Sequence, residues 1–413
     1  MTRRIWENEL SGFMNSNNVT NLINKADCSG CGACVCVCPT KCLLMKSDRE
    51  GFCYPYTDDK GCINCGKCLS VCPVKSKPET GDYKRRVFVV QHKDAGIRRE
   101  STSGGAFTAV AEYIIKSGGV VFGAGMDENF RVCHMAAYDI EQLALFRNSK
   151  YSQSDLGDTF LKVESYLTEG KKVLFSGTPC QVAGLKKFLP DAGENLITAD
   201  VVCRGIPSPL VFKKYIDYQK RRFGEFDKVL FRDKYSGYTH TVMSLYRDDV
   251  CLYHNGLEYD PMLKLFYRGL ISRPICSNCR FKGIERCSDF TLWDCFSAAE
   301  INRDFDDNRG TTFVMLHSEK AEMIFEKIQD NIRACEGETE RVCSGAAEML
   351  KSVPHNPERR EFFRDIETMS PNELFDKWTP VTFGVRLNKL LRNILAKLRL
   401  YYTVKSLAAR LKK

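Results

Sequence analysis

No run of about 18 apolar residues occurs in this 413-residue sequence, so no membrane-spanning helix is expected. The start, MTRRIWENELSGFM, lacks the apolar stretch of a secretory leader. A cytoplasmic location is the resulting expectation, and in that reducing compartment 21 cysteines do not suggest a disulfide framework. Metal or redox chemistry is the better use for them. Histidine is scarce: the six present show no metal spacing and receive no role. Acidic residues are absent from Val381 to Lys413, where nine Lys and Arg fall, so the rest of the chain balances at 52 charges of each sign. The body is therefore not a general polyanion binder, and nucleic acid is not expected as a partner.

The cysteines are ordered. One run reads Cys28-x2-Cys31-x2-Cys34-x3-Cys38-Pro39, and a second reads Cys62-x2-Cys65-x2-Cys68-x3-Cys72-Pro73. This is the bacterial two-cluster ferredoxin spacing, in which the fourth Cys of each run serves the other cluster. One 4Fe-4S cluster is then expected on Cys28, Cys31, Cys34 and Cys72, and the other on Cys62, Cys65, Cys68 and Cys38. A zinc module is the alternative, weakened by the third Cys and the Pro at matching offsets in both runs. Cys36 and Cys42 fall outside both registers and are read as buried bystanders, Cys53 as structural. Between the runs, turn signals at Asp48–Gly51 and Asp58–Gly61 suggest a β-hairpin-like insert. An α+β ferredoxin-type domain over residues 20–78 follows.

After a polar linker, strand, small-residue loop and helix recur in VFVVQH, STSGGAFTAVAEYIIKSGGVVFGAG, KKVLFSGTPCQVAGLKKFL and LITADVVCRGIPSPLVFKKYIDYQ. Such alternation predicts an α/β domain with a largely parallel sheet, here over 85–345, with ligands at the carboxyl ends of its strands. In SGTPCQ, Thr178 is the expected N-cap, with Pro179 first in the helix and Cys180 behind it, where the helix end favours a thiolate. Cys203 in VVCRGIPSP and Cys276-x2-Cys279 in RPICSNCRFKG complete four loop cysteines. They are consistent with a third 4Fe-4S cluster, a single zinc site or scattered structural thiols. Cys276, Cys279, Cys287 and Cys295 form a rival local quartet. Backbone amides of STSGG, residues 101–105, suit a phosphate at a helix N-terminus, or an ordinary turn. In NSKYSQS, Lys150 is available to an anion.

Taken together, STSGGAF, NSKYSQS, FSGTPCQVAGLKKFL, VVCRGIPSP and RPICSNCRFKG resemble the coenzyme F420 hydrogenase/dehydrogenase beta-subunit family, preceded by a ferredoxin domain. The resemblance runs from about residue 85 to about residue 300 and is most specific at SGTPCQVAGL. It implies a flavin enzyme with iron–sulfur clusters that passes electron pairs between the clusters and an organic acceptor. By the same resemblance, Ser101, Ser103, Gly104 and Gly105 form one loop beside FAD, and Lys150, Tyr151, Gln153 and Ser154 a second. Cys180, Cys203, Cys276 and Cys279 become the implied ligands of a core 4Fe-4S cluster. The chain departs from the family pattern at Arg204, where His is usual, and at Trp293-Asp294-Cys295-Phe296-Ser297, which lacks two Gly. Both lie where an acceptor binds, so the deazaflavin is not carried over as substrate.

The expected function is an iron–sulfur flavoprotein oxidoreductase with a redox partner protein or subunit and an organic acceptor. The alternatives are a flavin-free electron-relay subunit and a zinc-stabilised interaction protein. No general acid or base is nominated. Over 381–413, Leu387, Leu390, Leu391, Ile394, Leu395 and Leu398 form a helical stripe with a basic opposite face. A basic amphipathic helix of this kind suits peripheral contact with the inner membrane face, or packing on the protein or a partner.

Overall fold

The computed structural model describes residues 18–385; the basic stripe from Leu387 onward lies outside the described residues. The amino-terminal part is built from a repeated short unit. Helices Ala33–Cys36 and Lys67–Ser70 pack on each other, and each begins at a left-handed glycine, Gly32 (φ 77°) or Gly66 (φ 71°). Only glycine takes that conformation without a Cβ penalty, so the thiols flanking it can turn to one side. Between the helices, β1 (Leu43–Ser47) and β2 (Cys53–Thr57) form an antiparallel hairpin. The Asp48 carboxylate closes its turn by accepting from the Glu50 and Phe52 amides, both at 3.0 Å. The expected insert is therefore a true hairpin. Its tip docks on the body of the chain: Phe52 is fully buried and Glu50 pairs with Arg359.

The following strands are β3 (Arg86–His92), β4 (Val120–Met126), β5 (Val132–Ala137), β6 (Val173–Gly177), β7 (Leu196–Val201), β8 (Lys228–Asp233), β9 (Val242–Arg247), β10 (Val250–Gly256), β11 (Phe290–Asp294), β12 (Thr312–Leu316) and β13 (Ile332–Gly337). Eight of them form one mixed sheet in the order β13-β3-β12-β11-β7-β6-β4-β5. At its centre β11, β7, β6 and β4 are mutually parallel, and β3 runs the same way. The antiparallel strands β12, β13 and β5 complete it. The largely parallel α/β architecture expected from the alternating motifs is thus present.

Both faces of this sheet are covered, which explains its apolar strands. Leu174 and Ile197 pack with Ala109, Ala111 and Ile114 of helix Ala106–Lys116. Their neighbours Val173, Phe175 and Leu196 pack on the other face with Val182 and Leu185 of helix Pro179–Phe188. Alternate residues of one strand point to opposite faces, so a buried parallel strand needs apolar side chains at every position.

Between β7 and β11 the chain leaves the sheet. It forms helix Pro209–Phe223, the antiparallel three-stranded sheet β8-β9-β10 and helix Pro261–Tyr267. Helices Arg359–Thr368 and Pro371–Trp378 join the same core, as do Phe52 and Tyr54 of the hairpin. Among the described residues no helix is long and apolar enough to cross a membrane.

Candidate cluster sites and cofactor cleft

All 21 cysteines are free of disulfides. The left-handed glycines aim the first thiols at a cavity of about 340 Å³ lined by Cys28, Cys31, Cys34 and Cys72. A second, smaller cavity is lined by Cys38, Cys62, Cys65 and Cys68. The fourth Cys of each run thus crosses to the other group, as the spacing predicts. Burial pushes Cys31 up to about 12, with the charges of Cys28 and Cys72 adding to it. Cys34 is raised further, again by burial first and then by Cys31, Cys28, Cys72 and Cys68. Four mutually repelling thiolates need positive charge among them, and a bound metal removes their protons outright. Among the described residues no three His, Cys, Asp or Glu side chains converge as one metal ion requires. Two foursomes of thiols, one around each cavity, match the crossed two-cluster pattern of the spacing.

Cys42, outside both registers, also lines the second cavity, with its Sγ 3.4 Å from that of Cys38. It is a buried fifth thiol at that wall. Burial opposes ionisation of Cys38, yet hydrogen bonding to Thr40 and Cys42 brings it down to about 7. Cys36 stays apart: burial lifts it to about 11, and its charged neighbours are Asp158 and Glu164.

A third group of thiols assembles from distant stretches. Thr178 caps helix Pro179–Phe188 in a capping box with Gln181, with Pro179 at the first position. This sets Cys180 in the first turn, where burial raises it strongly and outweighs any help from the helix end. Its thiol neighbours are Cys203, Cys279 and Cys31. Cys203 follows β7, and burial lifts it to about 12, with Cys276 and Cys279 adding to the rise. Cys276 sits on the 3-10 turn Pro274–Asn278, also buried and lifted to about 12, beside Cys180 and Cys279. The rival local quartet does not assemble. Cys295 follows β11 and is buried with Cys343, next to Cys335. Cys287 is also raised to about 12 by burial, and the charges that act on it are those of Asp200, Lys186 and Arg286.

A cleft of about 1040 Å³ opens at the carboxyl ends of β4, β6, β7 and β11, the usual place for a ligand in such a sheet. Its volume is at the upper end for cofactor sites. Both expected loops line it: Ser101, Ser103 and Gly105 from one side, Lys150, Tyr151, Gln153 and Ser154 from the other. Gly104 lies behind the first loop. A Cβ there would come 2.7 Å from the Thr312 amide, so only glycine lets this loop lie against β12. Gly105 (φ 85°) caps helix Ala106–Lys116, whose first residues, Ala106, Phe107 and Thr108, line the cleft.

The second loop is held from several directions. The Tyr151 ring stacks on Phe266 at 4.5 Å. Ser154 hydrogen-bonds His134 Nδ1, while His134 Nε2 donates to the Ser176 carbonyl at 3.0 Å. Lys150 is less available to an anion than its place in the sequence suggests. Its Nζ donates to the carbonyls of Leu145 (2.9 Å) and Arg147 (2.8 Å), and burial lowers it to about 7. Ser29 and Gly30 from the first cysteine run, and Cys203 from the third group, line the same cleft.

Sequence reasoning missed a polar hub in the wall. Arg232 of β8 pairs with Asp294 at 2.8 Å, and Asp294 also accepts from Ser103 and from Tyr238 at 3.1 Å. Arg232 carries no motif. Only the excursion between β7 and β11 brings it to the small-residue loop.

Comparison with known proteins agrees with the resemblance seen in the sequence. Residues 170–341 match the family of coenzyme F420 hydrogenase/dehydrogenase beta subunits, in its carboxyl-terminal part. Residues 27–76 match the 4Fe-4S dicluster domain. No curated protein matches. Among solved structures, a chain of the F420-reducing NiFe hydrogenase complex from Methanosarcina barkeri is similar at 15% identity and a TM-score of 0.45. The match covers 66% of this chain and 89% of that one, a likeness too loose to carry an argument.

Proposed function

We propose that this chain, a coenzyme F420 hydrogenase/dehydrogenase beta-subunit relative with a 4Fe-4S dicluster domain in front, is an iron–sulfur flavoprotein oxidoreductase. Its domains would be residues 20–78 and 85–345. Its ligands would be Cys28, Cys31, Cys34 and Cys72; Cys38, Cys62, Cys65 and Cys68; and, for a core cluster, Cys180, Cys203, Cys276 and Cys279. Bound clusters supply one-electron transfer, and bound FAD supplies the conversion to two-electron chemistry with an organic acceptor.

The chain's own residues hold and shield these groups. The amides after Gly105 receive a phosphate, and the loop of Tyr151, Gln153 and Ser154 forms the facing wall. Arg232 fixes Asp294, which in turn fixes Ser103. Of the eight amino-terminal thiols Cys65 alone is exposed, so a partner redox protein or subunit would dock on that side. The observation that carries the reading is the shared cleft: the segment joining Cys28 to Cys31, Cys203 and both flavin loops border one space. Acid release of flavin from anaerobically purified protein tests it. FAD at about one per chain is expected, whereas a cluster-loaded sample without flavin would favour a relay subunit.

A further inference from the structure

Four arginines are buried among the described residues: Arg98, Arg232, Arg273 and Arg286. Arg98 faces Asp307, Arg232 lies 2.8 Å from Asp294, and Arg286 lies 3.9 Å from Asp200. Arg273 is the most deeply buried, at 1% exposure, and among the described residues no carboxylate pairs with it. Its Nε donates to the Cys28 carbonyl at 2.7 Å and its Nη1 to Gln153 Oε1 at 3.1 Å. The guanidinium lies 3.9 Å from the Tyr54 ring centroid, and its Nη2 has no hydrogen-bond partner. A buried cation without a counter-charge is among the costliest arrangements in a protein. Something anionic must face it.

The surroundings say what. A Cβ on Gly30 would lie 2.8 Å from Arg273 Nη1, so the guanidinium is pressed against the loop that links Cys28 to Cys31. On its other side the Arg273 carbonyl accepts from the Cys276 amide at 2.9 Å. Arg273 lies behind the wall of the Cys28 cavity, at the Cys28 carbonyl, whereas the two cations that line the cavity are engaged: Lys25 pairs with Asp48 at 2.9 Å and Lys46 lies 3.4 Å from the Tyr56 ring centroid. Arg273 thus stands between two groups of thiols and has no other anion in contact.

We infer that Arg273 is a positioning residue whose uncompensated charge raises the reduction potential of the cluster on Cys28, Cys31, Cys34 and Cys72. The inference rests on the cluster reading given above. Reduction adds one negative charge to a cluster, supplied by a one-electron donor, and a fixed cation nearby favours the reduced state. The charge of Arg273 therefore favours an electron on the side that borders the cleft.

The test is an anaerobic redox titration of the full, cluster-loaded chain with dithionite, followed by electron paramagnetic resonance. Iron and sulfide are measured on every sample. Arg273→Gln is expected to lower one cluster midpoint by tenfold or more in the reduction equilibrium, about 59 mV for one electron. At least one midpoint should not move. Arg273→Lys, which keeps the charge, should recover most of the loss. Gln153→Glu sets a carboxylate against the guanidinium and should lower the same midpoint; it carries the test if Arg273→Gln fails to hold its clusters. Unmoved midpoints at wild-type sulfide content, or a uniform shift of all of them, would overturn the inference. A wild-type chain without sulfide would overturn the cluster reading instead.

Discussion

Cys31 and Gly184 meet so closely that no side chain fits between them: a Cβ on Gly184 would lie 2.8 Å from both Cβ and Sγ of Cys31. Gly184 stands four residues after Cys180 on the same helix. This contact seats the first cysteine run against the third thiol group and fixes the spacing on which electron transfer between them would depend.

Gly184→Ala should therefore be harmful although alanine is the better helix former by about 1 kcal/mol. The added methyl must push Cys31 aside, and overpacking of this kind costs about 1–3 kcal/mol. A lower melting temperature with reduced sulfide content is the expected result. A variant as stable and as fully loaded as the wild type would show that the seat is loose.

Ligand assignment in the third group can be read from sulfide counts. Cys180→Ser or Cys203→Ser should take the content from about twelve acid-labile sulfides per chain to about eight. Cys287→Ser and Cys295→Ser should leave it unchanged. The opposite pattern would return the site to the local quartet.

The four thiols around each of the two amino-terminal cavities were legible because they come as repeated short-range runs, with the turn glycines beside them. The third group was not fixed by spacing. Cys180, Cys203 and the Cys276–Cys279 pair are separated by whole strands and helices, and the nearer Cys287 and Cys295 were equally plausible in one dimension. β11 decides the matter by carrying Cys295 away into a different part of the core. Cys42 is buried, as expected of a thiol outside both registers, but its place at the wall of the second cavity comes from the hairpin that follows it and not from any ligand spacing. Arg232 and Arg273 had no motif at all. Their meaning lies in contacts across about 60 to 245 residues of chain.

The Arg232–Asp294 pair is partly buried, and removal of one partner leaves the other without a counter-charge. Arg232→Ala should cost about 3 kcal/mol, at the lower end for such pairs because Asp294 keeps some exposure. It should also lower flavin retention, since Ser103 depends on Asp294. Chemical denaturation and flavin release on the same variant check both. Unchanged retention would remove this hub from the cleft.

Burial lowers His134 to about 4 from an ordinary value of 6.5. A depressed value means that the folded chain holds fewer protons than the unfolded chain between those limits. The neutral ring's contribution is complete above about pH 6.5 and is lost as the pH falls through about 4. Protonation would leave a charged ring in a buried site and would turn Nδ1 from acceptor to donor, so that Ser154 must reverse its hydroxyl; stability and flavin retention should fall together in acid. A His134→Gln variant should show a flatter dependence between pH 6.5 and 4; an unchanged slope would clear His134 of this role.

The most direct measurement is iron, acid-labile sulfide and flavin, quantified on one anaerobically purified sample of the full chain. About twelve irons and about twelve sulfides per chain with about one FAD are predicted. A pale preparation with zinc and no sulfide would contradict the account at its root.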